Sequence, residues 1–298
     1  DPTLLDHFDI IHVFNYKPSL SIILKGYPKS SVVKQFAKRE LIGIRAPLRT
    51  ALESILFWDL FLTTTPQLKE EVGRFLPWKD IYYLPPPIPV NYFRRLDKIA
   101  CLNSLGLNLK EGEKIIAYCG RVNKQRKIGW IMNAIKQFSG KNIRCLLAIS
   151  NAYVDPKLTM TNVIFVPRVK DVRYIYSIAD LLIYPVEREG AVEPPLTILE
   201  AMSCGCIVAA CRNAITSELI SDGCNGFLFS SLKELIEIIH HIVNENFDRD
   251  GMAENARKTI ARDYNPSRLL EGYVNLYGQI LGELDARRLP IVTSMCFK

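Results

Sequence analysis

From Lys114 onward, short apolar runs alternate with segments whose apolar residues recur at helical spacing. The apolar runs are typical of strands that are buried on both faces of a parallel sheet. Between two of them, Ile128, Ile131 and Ile135 would lie on one side of a helix. We predict strands at 114–119, 144–149, 163–166, 181–184, 206–211 and 227–229, and helices at 128–138, 172–179, 232–243, 250–262 and 266–282. Strands that alternate with helices predict a doubly wound, parallel α/β sheet.

Residues 85–89 contain four prolines and interrupt this pattern. Proline stiffens the chain and removes backbone donors, so this segment predicts a semi-rigid linker between two domains. Before it, we predict strands at 8–15, 31–33, 60–63 and 81–84, and helices at 48–61 and 66–75. We therefore expect an N-terminal domain at 1–90, a second domain at 91–265, and a C-terminal helix and tail at 266–298 that pack back toward the first domain.

A helix that carries Glu200 follows the predicted strand at 181–184. We expect Pro194 and Pro195 to open it, because proline fits the first helical position, and Gly205 to end it in a left-handed cap. Its predicted apolar side comprises Leu196, Leu199 and Met202. Such a helix directs free N–H groups and the positive end of its dipole into the crevice above the sheet, where phosphates bind. Glu200 is placed to accept hydrogen bonds from a sugar or ribose diol, although a solvated helix charge gives the same pattern.

A basic turn, residues 120–127, follows the first strand of the second domain, where a doubly wound fold places phosphate. Gly120 allows a close approach of the backbone, and Arg121, with Arg126 or Lys127, would clamp a diphosphate. The turn alone is a weak indicator, because it contains no established phosphate-binding motif. Together with the Glu200 helix, however, it suits a ligand that has both a diphosphate and vicinal hydroxyls. A nucleotide sugar has both.

The net charge is +7, and much of the excess lies in residues 10–58. Such a basic region favours anionic partners, including an anionic membrane surface, although it lacks the interleaved aromatics typical of nucleic-acid binding. Eight scattered cysteines without a C-x-x-C pair favour a reduced, cytoplasmic setting and disfavour a zinc site. The D-x-D sequence at 248–250 lies in a polar stretch far from both candidate sites, so we interpret it as solvated surface.

Several segments resemble the group 1 family of retaining glycosyltransferases, which have the GT-B fold and use nucleotide-sugar donors. They are the segments Tyr118–Val122, Val163–Val166, Tyr176–Pro185, Leu199–Ala210 and Glu218–Phe229. The resemblance covers roughly residues 80–285 well. It implies two Rossmann-like doubly wound domains, of which the N-terminal one here is short or truncated. It also implies a hexosyltransferase that moves a sugar with retention and without a metal or other cofactor.

The resemblance also assigns roles to individual residues. Arg121 and Arg126 become the catalytic diphosphate clamp, and Glu193 becomes the first of two acidic residues. Glu200 becomes the ribose-binding carboxylate, and the backbone near Val169 meets the nucleobase. The donor-binding set that the resemblance implies is Gly120, Arg121, Arg126, Lys127, Val169, Thr197, Ile198, Leu199 and Glu200, with the last helix contributing the backbone N–H groups of Thr197, Ile198 and Leu199.

This sequence departs from the family pattern at four places, one of which is the segment 191–195 that replaces the usual glycine-rich loop before the Glu200 helix. Arg126 stands where the family has a lysine, and the spacing of the two glutamates points to Val192, one residue before Glu193. Glu189 is a weaker choice for that role, and neither glutamate need serve. The expected N-terminal strand and glycine-rich loop are also missing. The alternative to an enzyme is therefore an inactive or partner-dependent sugar-nucleotide-binding protein. For an enzyme, we expect a sugar, glycan or lipid-linked acceptor and a cytoplasmic location, peripheral to the membrane if the acceptor is a lipid.

Overall fold

The computed structural model of this protein describes residues 10–14, 31–36, 60–110, 112–122, 126–149, 160–167, 169–187, 194–244 and 247–280. Within these residues the chain is α/β, and the predicted fold class is confirmed. Two compact units comprise Asp1–Pro87 with Val192–Pro194 and Pro266–Lys298, and Ile88–Ala191 with Pro195–Asn265. The chain therefore first passes from one unit to the other within the proline-rich segment.

The first unit contains a parallel four-stranded sheet in the order β1-β2-β3-β4. Its elements are β1 (Ile10–Phe14), β2 (Ser31–Phe36), β3 (Leu60–Thr63), α1 (Pro66–Phe75), β4 (Ile81–Tyr83) and α9 (Pro266–Ile280). Helix α1 begins where the sequence predicts, because the Thr65 hydroxyl accepts a 3.1 Å hydrogen bond from the Leu68 N–H and Pro66 needs no partner for its nitrogen.

Helix α9 packs through its Leu269 and Leu276 onto Leu62 and Leu84. The approach is close at Gly272, where a β-carbon would lie 2.8 Å from a methyl group of Leu84. The predicted strand at 60–63 is confirmed as β3, so the overlapping helix prediction at 48–61 is wrong at its end. Leu60 and Phe61 are strand residues, because β3 is hydrogen-bonded between β2 and β4 and Phe61 is fully buried there. The remainder of that helix lies outside the described residues.

The second unit contains a parallel six-stranded sheet in the order β10-β9-β8-β5-β6-β7. The strands are β5 (Lys114–Gly120), β6 (Ile143–Ile149), β7 (Val163–Pro167), β8 (Leu181–Tyr184), β9 (Val208–Cys211) and β10 (Phe227–Phe229). The chain winds outward from β5 to β7, then returns to the other side of β5 and winds outward again through β8. The strand order therefore reverses between β5 and β8, and ligands of open α/β sheets bind at the carboxyl ends of such strands.

Helices cover both faces of this sheet. They are α2 (Lys98–Leu105), α3 (Ile128–Lys136), α4 (Arg173–Ile178), α5 (Leu196–Ser203), α6 (Ala214–Leu219), α7 (Leu232–Asn244) and α8 (Arg249–Asp263). Alternate residues of β5 pack into the hydrophobic cores on opposite faces of the sheet. Ile115, Ala117 and Cys119 face the layer with α4 and α5. Ile116 and Tyr118 face the layer with α3 and α7. This alternation is that of a strand buried on both faces.

Two predictions about α5 need correction. The helix begins at Leu196 and Pro195 occupies the N-cap, so neither proline is a helical residue. Leu196 is 43% exposed, because the buried side of α5 is formed instead by Ile198, Leu199, Ala201 and Met202. The predicted cap is confirmed, since Gly205 follows the helix with a φ of 71°.

Strand β9 starts at Val208, two residues later than predicted, because the Cys206 N–H donates to the carbonyl of Ala201 and not to a neighbouring strand. Of the seven cysteines that the structure describes, six are buried as free thiols and Cys224 is exposed. Burial raises the pKa of Cys145, Cys204 and Cys206 to about 12. No helix in the described ranges is long and apolar enough to cross a membrane.

Candidate functional site

The turn after β5 brings Arg126 against Gly120. Gly120 has a φ of 148°, and a β-carbon there would lie 2.6 Å from Nη1 of Arg126. The glycine therefore admits the guanidinium of Arg126 to the end of β5. Arg121, the first residue of the predicted clamp, follows directly and is exposed.

Two buried tyrosines surround this guanidinium. Tyr118, on β5, accepts a 3.4 Å hydrogen bond from Nη1 of Arg126, and its own hydroxyl donates to the carbonyl of Arg121. The ring centre of Tyr184, on β8, lies 6.0 Å from the guanidinium carbon. Burial raises the pKa of both phenols, that of Tyr184 to about 12, although the positive charge of Arg126 acts in the opposite direction.

Backbone hydrogen bonds connect the same turn to the segment after β8. Arg126 forms a single antiparallel bridge with Val186, and the N–H of Lys127 donates to the carbonyl of Pro185 at 3.0 Å. The ammonium of Lys127 pairs with Glu187 and lies 4.0 Å from the ring centre of Trp130. Lys127 therefore already has an anionic partner, which a phosphate would have to displace.

Glu200 lies in the second turn of α5 and is partly buried. Oε2 of its carboxylate accepts a 3.1 Å hydrogen bond from the hydroxyl of Tyr176, on α4. Burial raises the pKa of Glu200, and this hydrogen bond opposes the rise. Glu200 in turn contributes to the raised pKa of Cys119, the residue before Gly120. The carboxylate is therefore close enough to Cys119, near the end of β5, to interact with it electrostatically.

The backbone N–H groups of α5 are arranged differently from the prediction. The N–H groups of Ile198 and Leu199 both donate to the carbonyl of Pro195, at 3.0 and 3.3 Å. Leu199 thus makes the first full intrahelical bond, because it lies four residues after the N-cap. The available donors of an α-helix are those of its first residues, so Leu196 and Thr197 are better placed for an anion than Leu199.

Of the remaining predicted residues, the structure describes Val169. Val169 is partly buried against the core layer that contains α4 and α5. Glu193, the predicted first glutamate, and Glu189, its weaker alternative, lie outside the described residues. Sequence reasoning did not identify Tyr118, Tyr176 and Tyr184, because a tyrosine within an apolar run is typical of a core residue.

The D-x-D sequence has a structural role. Asp248 is the N-cap of α8 and accepts a 2.9 Å hydrogen bond from the N–H of Gly251. Arg249 forms an ion pair with Asp180, whose other oxygen accepts a 2.7 Å hydrogen bond from the N–H of Ile115. Our interpretation of this segment as solvated surface was wrong for Arg249, because Asp180 is almost fully buried. The described residues contain no cluster of His, Cys, Asp or Glu that would hold a metal ion.

The candidate site thus comprises a guanidinium in the turn after β5 and, on the helix that follows β8, an N-terminus and a partly buried carboxylate. The strand order reverses between β5 and β8. The two positive groups can stabilise negative charge on a diphosphate, and the carboxylate can accept hydrogen bonds from hydroxyls.

Solved structures show the class of fold. A glycosyltransferase from Rickettsia africae has 15% identity and a TM-score of 0.72, with 95% of this chain and 81% of that chain covered. Alr3699/HepE from Anabaena in complex with UDP-glucose has 15% identity, a TM-score of 0.73 and the same coverage. Sucrose-phosphate synthase from Thermosynechococcus elongatus has 16% identity and a TM-score of 0.75, with 93% and 75% covered. The fold is therefore that of the GT-B glycosyltransferases.

The sequence itself also matches a family model. Residues 113–245 match the family model for "Glycosyl transferases group 1". No curated protein matches the chain by sequence. The matched segment contains β5 to β10 and every described residue of the candidate site. The resemblance predicted from the motifs is confirmed, and the match to a group 1 domain supports a glycosyltransferase.

Proposed function

We propose that this enzyme transfers a hexose from a nucleoside diphosphate sugar to an acceptor, with retention of the anomeric configuration and without a metal ion. The proposal is supported by the topology: Arg126 lies in the turn after β5, Glu200 lies on the helix after β8, and the strand order reverses between these two strands. The diphosphate would lie between the guanidinium and the helix N-terminus. The ribose would meet Glu200, and the backbone near Val169 would meet the base.

Arg121 and Arg126 would act on the leaving group. As the bond between the anomeric carbon and the diphosphate oxygen breaks, the electron pair stays on the diphosphate. Guanidinium groups and helix N–H groups stabilise that charge without a metal, since they are fixed in place before the reaction begins. The acceptor oxygen then bonds to the anomeric carbon on the face that the diphosphate leaves, and the acceptor proton passes to the released diphosphate. Glu193 is our first choice for an acidic group at the sugar.

UDP-glucose is the first donor to test, because Alr3699/HepE was determined with UDP-glucose and also with UDP and glucose. The acceptor would be a sugar, a glycan or a lipid-linked sugar. The basic residues within 10–58 favour an anionic acceptor or an anionic membrane surface. Sedimentation with vesicles that contain phosphatidylserine, compared with neutral vesicles, would test the membrane surface and with it a peripheral cytoplasmic location.

The test is calorimetric titration of UDP, GDP and ADP, each with its glucose conjugate, against the wild type, Arg121→Ala and Glu200→Ala. Removing one hydrogen bond to a charged group costs about 1.5–3 kcal/mol, or roughly ten- to a hundredfold in affinity. We expect one nucleotide to bind and both variants to weaken it. Absence of binding in a folded sample would overturn the donor-site assignment.

Transfer is then measured with the nucleotide that binds, simple sugars as acceptors, and EDTA in a parallel sample. Proton NMR of the product reports the anomeric configuration. Binding of the nucleotide without hydrolysis or transfer would favour the alternative, an inactive or partner-dependent sugar-nucleotide-binding protein. An inverted product or loss of activity in EDTA would contradict retention or metal independence separately.

A further inference from the structure

Tyr176 is buried on α4, and its hydroxyl donates to Oε2 of Glu200 at 3.1 Å. We propose that Tyr176 is a positioning residue that holds Oε2 of Glu200 and leaves Oε1 to accept hydrogen bonds from the ribose diol of the donor. This inference rests on the proposed function. It adds to the donor site a residue that acts through Glu200 and does not itself touch the nucleotide.

The position of the phenol is fixed by the attachment of α4. Ser177, beside Tyr176, accepts a 3.0 Å hydrogen bond from the N–H of Leu96. At the start of the helix, Arg173 binds Asp171 and lies 3.7 Å from the ring centre of Tyr92. A tyrosine on so constrained a helix has few alternative positions. The longer glutamate side chain is flexible by itself, and the hydrogen bond restricts it to one orientation.

The electrostatic surroundings of Glu200 leave few other ways to stabilise its charge. Among the described residues, the titratable groups that interact with it are Tyr176 on α4, Cys119 on β5 and Cys204 after α5. Burial raises the pKa of all three, so each is neutral near pH 7. Burial also raises the pKa of Glu200, and the hydrogen bond from Tyr176 is the contact that lowers it. The phenol thus favours the ionised form that accepts hydrogen bonds from hydroxyls.

The affinity for the donor should depend on pH through the ionisation of Glu200. Donor binding needs the carboxylate, so affinity falls as the pH drops through the pKa of Glu200. Tyr176→Phe keeps the ring and removes the hydroxyl, which raises that pKa further. In this variant the loss of affinity should therefore begin at a higher pH than in the wild type. A role for Tyr176 in packing alone would not move the midpoint, because phenylalanine fills the same space.

The experiment measures the affinity of UDP-glucose from pH 4 to pH 8 by calorimetry, with GDP-glucose or ADP-glucose in its place if the wild type binds one of them better. A nucleotide sugar is chosen because its diphosphate lacks the terminal phosphate ionisation near pH 6. The variants are Tyr176→Phe, Glu200→Gln and the double variant. Tyr174→Phe is the matched control, since this tyrosine lies on the same helix and makes no hydrogen bond to Glu200. Thermal unfolding checks that each variant is folded.

We expect Tyr176→Phe to weaken binding at pH 7 by roughly three- to tenfold, the effect of one hydrogen bond, and to move the acid midpoint upward. Tyr174→Phe should resemble the wild type. In the Glu200→Gln background, Tyr176→Phe should have no further effect. Binding by Tyr176→Phe with the wild-type affinity and midpoint would overturn this inference and leave the proposed function intact. Failure of the wild type to bind any of the three nucleotide sugars would overturn both.

Discussion

The guanidinium of Arg126 lies against the backbone of Gly120, so closely that a β-carbon at Gly120 would stand 2.6 Å from Nη1. This contact joins the end of β5 to the other end of the basic turn. Tyr118 strengthens the connection, because its hydroxyl contacts both Arg126 and the carbonyl of Arg121. The phosphate-binding potential of the turn therefore depends on a glycine as much as on the two arginines.

Gly120→Ala should displace Arg126 and strain the backbone, because a φ of 148° is rarely adopted by a residue with a side chain. We expect about 1–3 kcal/mol of destabilisation together with weaker nucleotide binding. Chemical denaturation and calorimetry measure the two effects. Gly129→Ala is the control, since Gly129 lies in α3 with open space around it, and there alanine should be neutral or stabilising by up to about 1 kcal/mol. Unchanged affinity in Gly120→Ala would contradict this view of the turn.

The two bases of the turn should differ in their effect on binding. Arg126→Ala should weaken the nucleotide by roughly tenfold or more, because it removes a charged hydrogen-bond donor. Lys127→Ala should have a smaller effect, since the ammonium of Lys127 is already paired with Glu187 and packed on Trp130. Calorimetry of both variants at the same salt concentration gives the comparison. An effect of Lys127→Ala equal to or larger than that of Arg126→Ala would show that the lysine leaves Glu187 for the ligand.

Asp248 should affect stability and not activity. Asp248→Ala removes the N-cap of α8 and should cost about 1 kcal/mol, whereas Asp248→Asn should retain most of the stability, because asparagine caps helices equally well. Denaturant unfolding and a transfer assay with EDTA test this together. The D-x-D sequence would instead be a metal site if both variants lose transfer activity and if added Mg²⁺ or Mn²⁺ restores the activity of the EDTA-treated wild type.

Much of the second unit can be predicted from sequence because its strands are buried on both faces. Runs such as Leu181–Tyr184 and Lys114–Gly120 have few alternatives to a central strand, and their alternation with helices leaves the doubly wound sheet as the simplest arrangement. Local chemistry also predicts some boundaries well, as with Pro66 at the start of α1 and Gly205 after α5. Each of these signals is carried by one or two adjacent residues.

Prediction was weaker where a boundary or a role depends on distant residues. The start of α5 at Leu196 is one example, because two consecutive prolines fit either the N-cap or the first turn. The boundary at Leu60 is another, where a predicted helix and a predicted strand overlapped, since pairing with β2 and β4 decides for the strand. The partners of Lys127 and Glu200 are Glu187 and Tyr176, and no spacing in the sequence connects them. The positions of Glu189 and Glu193 lie outside the described residues, so the first acidic position stays a prediction.

We propose that Glu200 binds the ribose of a nucleotide donor at the junction of β5 and β8. The most direct measurement compares the affinities of the best-binding nucleotide sugar and its 2′,3′-dideoxy analogue for the wild type and Glu200→Gln. We expect Glu200→Gln to weaken the natural nucleotide by roughly tenfold or more and to leave the dideoxy analogue unchanged, because the analogue lacks the hydroxyls that donate to the carboxylate. Equal weakening of both ligands, or of neither, would contradict the claim.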